Sequence, residues 1–196
     1  VAVLFKFSNL PNQIHYDDVK EDTVEDNNSK SVLSYPQLWM GMIAIFLYVG
    51  VEVSTASNLP EYMKVYLNTP TNEIAPYVSL FWASLMIGRW TGAVGAMDVN
   101  ASLKNVLKWI LPYVAFGIFL LVNLIANHDI SLFFVYAAVI VVLIIADYLS
   151  AGNPARQLLI FSAFGITALM VGMLSSGLTS VYAFISVGLF CSTLWP

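Results

Sequence analysis

The chain has 196 residues, of which 59% are hydrophobic and only 10% charged, with a mean hydropathy of +0.76. Eight basic and twelve acidic side chains are too few for the polar shell of a soluble domain this long, so the composition reads as an integral membrane protein. A net charge of −4 without a basic patch excludes a nucleic-acid surface, and the single cysteine, Cys191, excludes a disulfide framework or a thiolate metal cluster.

The first seven residues, VAVLFKF, are too short for a signal peptide and resemble the last turns of an apolar helix. The chain starts at Val1 and stops at Trp195–Pro196 inside an apolar run, so it reads as an internal fragment of a larger membrane protein. Residues 8–35 are polar and without periodicity, and six of the twelve acids fall between Asp17 and Asp26. Such a segment reads as a linker with little fixed structure.

Pro36 then stands where a first helical turn tolerates proline. Six apolar spans follow: Pro36–Leu59, Pro76–Met97, Val106–Ala126, Ile130–Ala146, Leu158–Ser175 and Leu178–Pro196. Each approaches the ~20 residues that cross a bilayer as helix, and none alternates as a barrel strand would. The fold class is therefore an all-α transmembrane helical bundle. The links after the third and fifth spans are very short, which makes two helical hairpins. Pro60 either ends this helix near the outer surface or kinks a span that continues to Leu67, and EYMKVYL, which remains helix-compatible, favours the second. Alternating sides place Lys6, Lys20, Lys30, Lys104, Lys108 and Arg156 together and leave Lys64 alone opposite. Basic residues favour cytoplasmic loops, so the 8–35 linker and the 98–105 and 147–157 loops are expected to be cytoplasmic.

Glu52 is the residue that most needs an explanation. It sits ~24 Å along a helix counted from Pro36, within an otherwise uncharged run. Tyr48, Glu52, Thr55 and Asn58 recur at intervals of four, three and three, and so share one helix face. Hydroxyl, carboxylate, hydroxyl and amide in a row can hydrogen-bond a polyol, and the carboxylate can also carry a proton. An ionisable group at that depth usually faces a bundle interior or a wet cavity. Arg89 is the second charge within a span, ~12 Å from the inner end of its own helix. The offset of ~12 Å between the two depths argues against a direct pair. Arg89 is instead read as a gating or structural charge that snorkels inward or meets a carboxylate outside the chain. Gly88 and Gly92 form a G-x-x-x-G that suits close helix packing.

The remaining polar groups carry little. His15 and His128 fall outside the spans, Asp147 stands at a span boundary, and Asn123 is expected to be solvated near a helix end. No nucleophile–base pair, phosphate loop or metal-ligand set is placed, so neither an enzyme nor a cofactor is expected. The residues alone leave open a non-transporting membrane scaffold or assembly subunit whose polar groups only join helices.

Three stretches carry a family resemblance: PQLWMGMIAIFLYVGVEVSTASNLPEY (36–62), YVSLFWASLMIGRWTGA (77–93) and ISVGLFCSTLWP (185–196). They resemble the seventh, eighth and tenth helices of the fucose–galactose–glucose:proton symporters of the major facilitator superfamily. The resemblance implies the C-terminal half of such a transporter, with Val1–Phe7 ending a sixth helix and 8–35 as the central cytoplasmic loop. In this frame 36–97 supplies two transmembrane helices, 98–153 an additional hydrophobic hairpin, and 154–196 two further helices, truncated. It further implies hexose or deoxyhexose symport with protons by alternating access, in a bacterial inner membrane. Tyr48, Glu52, Thr55, Asn58 and Trp195 would line the sugar cavity, while the main coupling acid would belong to an N-terminal half outside this chain.

Overall fold

A computed structural model describes residues 35–97 and 100–194. The expectations for the opening Val1–Phe7 helix end, for the 8–35 linker and for Trp195 lie outside the described residues. The chain divides into two units, Val1–Met40 and Gly41–Pro196, and of the first only Tyr35–Met40 is described, the start of the first helix. The packing below concerns the second unit.

The described residues contain six α-helices and no strand: α1 (Pro36–Tyr66), α2 (Thr71–Ala96), α3 (Ala101–Ile125), α4 (Tyr136–Ser150), α5 (Pro154–Leu174) and α6 (Leu178–Ser192). A five-residue 3₁₀ turn, Ser131–Val135, leads into α4. Among the described residues, four segments are long and apolar enough to cross a membrane: Leu38–Tyr66, Ser102–Ile125, Ser131–Ser150 and Pro154–Leu174. In lipid the backbone must satisfy its own hydrogen bonds, and uninterrupted helices do so. The protein is an all-α membrane bundle.

Local sequence sets the helix limits. α1 has 31 residues and runs through Pro60, so it ends at Tyr66 and not at Leu59. At ~46 Å it exceeds a ~30 Å hydrocarbon core, so its ends reach beyond the apolar layer or it tilts. Asn68, with a φ of 51°, turns the chain into α2, which begins before the apolar run because Thr71, Asn72 and Glu73 are helical. Asn153 caps α5 by accepting from the Ala155 and Arg156 amides, with Pro154 in the first turn. The tight reversal ahead of it uses Ala151 and Gly152, both with positive φ.

The core forms where α6 crosses α2 on one side and α5 on the other. Small residues permit both approaches. A Cβ on Gly88 would meet Leu189 and Ser192 of α6 and Thr193 at its end, and a Cβ on Gly188 would meet Phe81, Ser84 and Leu85 of α2. Gly172 of α5 faces the Phe184 ring, and Ser180 Oγ donates to the Gly172 carbonyl at 2.5 Å.

The α3–α4 hairpin packs against α2 and α5. Phe133, Tyr136, Ile140 and Leu143 are almost fully buried. Beside the hairpin turn, Phe133 sits edge-on to Tyr77 and Phe119, each at 5.3 Å, and Tyr182 Oη donates to the Leu132 carbonyl at 2.7 Å. Asn123, expected to be solvated, is buried: its amide donates to the Phe119 carbonyl and its oxygen faces His128 Nδ1. The hairpin turn folds back over Asn123 and shields it.

Candidate functional site

α1 carries the polar stripe. Tyr48, Glu52 and Thr55 are partly covered and Asn58 is exposed, with its Nδ2 donating to the Ser54 carbonyl at 2.7 Å. Helical period alone aligns these four residues, because three or four positions return a side chain to the same face. Beside the stripe lies a groove of about 240 Å³, lined by Ser54, Thr55, Asn58, Leu59 and Tyr62 of α1 with Leu169 of α5 and Phe184 of α6. The Tyr62 ring meets Phe184 edge-on at 5.8 Å and closes one end.

The structure overturns the expectation that Arg89 and Glu52 stay apart. Arg89 Nη2 lies 3.4 Å from both Glu52 carboxylate oxygens and donates to Tyr48 Oη at 3.2 Å. The depth argument failed because it counted from the inner ends of two helices of unequal length. The shared reference is the turn that joins them. Glu52 lies fourteen residues before Tyr66 at the end of α1, and Arg89 eighteen after Thr71 at the start of α2. From that turn the offset is only ~6 Å, which an arginine side chain spans. Counting also from the turn, Tyr48 and Arg89 stand at nearly the same depth.

The pair is unequal in exposure: the Glu52 side chain is 13% accessible and that of Arg89 47%. A single guanidinium nitrogen at 3.4 Å is looser than the short two-point clasp typical of arginine–carboxylate pairs. Such a contact holds Glu52 in place yet leaves acceptor capacity for another donor. Gly88 is buried beside Arg89 and fixes α2 against α6, while Gly92, one turn on, is half-buried. Among the described residues no group of three His, Cys, Asp or Glu side chains could hold a metal ion.

A second ion pair was not anticipated. Lys108 Nζ of α3 lies 2.7 Å from Asp147 Oδ2 of α4, with side chains 19% and 8% accessible. The signal was present in the sequence, since Lys108 stands nineteen residues before Asn127 and Asp147 twenty after it, which places them opposite each other in a hairpin. Tyr136 was also missed: its buried hydroxyl has no hydrogen-bond partner among the described residues, although Ser84 and Ser186 are near it.

Fold and site together define an integral helical membrane protein with a charged, hydroxyl-rich cluster between two of its helices. The curated proteins it resembles are named as transporters. The chain is 36% identical over 108 residues to the glucose/galactose transporter of two Brucella abortus strains, a match covering 51% of this chain and 24% of those proteins. A Helicobacter pylori protein named for transport of the same two sugars is 32% identical over 77 residues, covering 39% of this chain and 19% of that protein. The chain thus spans about a quarter or less of the curated relatives it matches. No protein-family model matches the chain, and no solved structure matches it. The resemblance to a sugar transporter of the major facilitator type is borne out by these relatives.

Proposed function

We propose that the chain forms part of a sugar transporter, carrying hexoses by alternating access with proton coupling, and that the α1 stripe is one wall of its sugar path. The observation that carries this reading is the Tyr48–Glu52–Arg89 cluster, continuous along α1 with Thr55, Asn58 and the groove. A charged pair within apolar helices is expensive and is retained where a polar path needs it. The names of the relatives support sugars as the substrate class. A groove of about 240 Å³ is smaller than the ~300–1,000 Å³ of complete ligand sites, which suits one wall completed by another part of the transporter.

In this reading Glu52 accepts hydrogen bonds from sugar hydroxyls, Arg89 and Tyr48 hold its carboxylate in register, and Thr55 and Asn58 contact the hydroxyls further along. Apolar Leu59 and the Tyr62–Phe184 corner cover the less polar ring face. Rocking of the two halves about this level would open it to either side. Trp195 is assigned to the same cavity on the family resemblance. The resemblance also assigns the main coupling acid to the N-terminal half, so Glu52 is given sugar contact and not the coupling step.

The test is labelled-hexose uptake into vesicles with and without a proton gradient, comparing the transporter with its Glu52→Gln variant. Weaker sugar binding with intact proton dependence is expected. Surviving exchange with loss of uphill uptake would move Glu52 into the coupling step. Normal binding and normal uphill uptake in a well-expressed variant would reduce the cluster to helix glue and defeat the reading.

A further inference from the structure

At the end of the α3–α4 hairpin away from its turn, a cleft of about 680 Å³ opens between Lys104, Asn105, Lys108 and Trp109 of α3 and Asp147 and Tyr148 of α4. Nothing in the transport reading uses it. Asp147 takes one donor from Lys108 at 2.7 Å, and the Gly95 carbonyl takes one from Lys104 at 3.0 Å. An ammonium has three donors, so each lysine keeps two, and both are anchored. Among the described residues that line the cleft, two lysines stand against one aspartate, a net charge of +1.

The rim has a different chemistry. Trp109 is 56% and Tyr148 79% accessible, and exposed Ile110, Ile145 and Leu149 continue the apolar surface toward the middle of the hairpin. The cleft also stands where the apolar segments Ser102–Ile125 and Ser131–Ser150 begin and end, at the level of a membrane–water boundary. Tryptophan and tyrosine concentrate at that level, and basic pockets between transmembrane helices hold acidic lipid headgroups.

We propose that this cleft binds the phosphodiester headgroup of an anionic phospholipid, with its acyl chains along the exposed face of the hairpin. A phosphodiester carries one negative charge and matches the net charge of the cleft. Free phosphate carries more charge and has no use for an apolar, aromatic rim. Lys104 and Lys108 bind the phosphate oxygens, Asn105 serves the glycerol oxygens, and Asp147 keeps Lys108 upright. The site is independent of which solute the protein carries.

The protein is reconstituted in phosphatidylcholine bilayers containing phosphatidylglycerol, and lipid adducts that survive extraction are counted by native mass spectrometry. Phosphatidylglycerol should be retained over phosphatidylcholine. Lys104→Gln should reduce that retention about fivefold, the weight of one basic residue at a membrane surface. Tyr148→Ser, at an exposed position the fold does not depend on, should reduce it as well. Lys64→Gln, on α1 and remote from the cleft, should leave retention unchanged. Equal retention of the two lipids, no loss in either cleft variant, or an equal loss in Lys64→Gln would each overturn the site. So would inorganic phosphate alone raising the melting temperature as much as phosphatidylglycerol does.

Discussion

Gly88 offers the sharpest test of the packing that positions Arg89. In Gly88→Ala the added methyl would fall on Ser192 Oγ and 2.5 Å from the Leu189 carbonyl oxygen. A carbon–oxygen contact normally needs ~3.3 Å, so α2 and α6 must part by ~0.8 Å. Ser192 can rotate away, but a helix carbonyl cannot. Overpacking of this kind costs about 1–3 kcal/mol, and the rigid carbonyl puts the cost in the upper part of that range. Alanine's better helix propensity returns up to ~1 kcal/mol, which leaves a net loss of ~2 kcal/mol. For a chain of this length that is a melting-temperature drop of ~4–8 °C. Gly95→Ala is the control, because a methyl there meets nothing within 4 Å and should leave stability unchanged or raise it. The assay is thermal unfolding of purified protein in one detergent, with sugar binding measured on the same samples. Sugar binding should weaken in Gly88→Ala, since Arg89 is the next residue along α2. A Gly88→Ala protein that melts at or above the parent temperature would refute the close α2–α6 crossing.

Two further predictions rest on buried polar groups. Tyr136→Phe removes a buried hydroxyl that lacks a partner, so thermal stability should hold or rise by up to ~1 kcal/mol; a clear drop would mean that Ser84 or Ser186 bonds it. Lys108→Met alone strands Asp147 and should cost ~3 kcal/mol, whereas the double change Lys108→Met with Asp147→Leu should recover most of it. Equal melting of the single and double variants would show that the pair is not coupled.

Much of the fold was legible because lipid imposes a simple rule. Apolar runs of the right length become helices, and their order then dictates which loops share a side. Pro60 was readable for a related reason, since the polar but helix-compatible EYMKVY gave the chain no cause to stop. The stripe on α1 was equally legible, because period alone aligns Tyr48, Glu52, Thr55 and Asn58. What stayed hidden depends on contacts between helices. Asn123 looked solvated from its place near a helix end, but α3 packs on α2 there and His128 folds back beside it.

The two ion pairs show what kind of counting reaches such contacts. Two antiparallel helices are in register at the turn that joins them, and their far ends drift apart whenever their lengths differ. Depth taken from the far ends separated Glu52 from Arg89 by two turns of helix. Depth taken from the Leu67–Pro70 turn brings Arg89 level with Tyr48 and about one turn from Glu52, where the structure has it. The same count about Asn127 sets Lys108 opposite Asp147. Register about a turn is written in the sequence as distance in residues, but turning opposition into contact requires that both side chains face each other. Helix rotation decides that, and on α2 the rotation is fixed by Gly88 against α6. Phe81, Ser84, Leu85 and Gly88 meet α6, and Arg89, ~100° further round the helix than Gly88, reaches Tyr48 and Glu52 of α1.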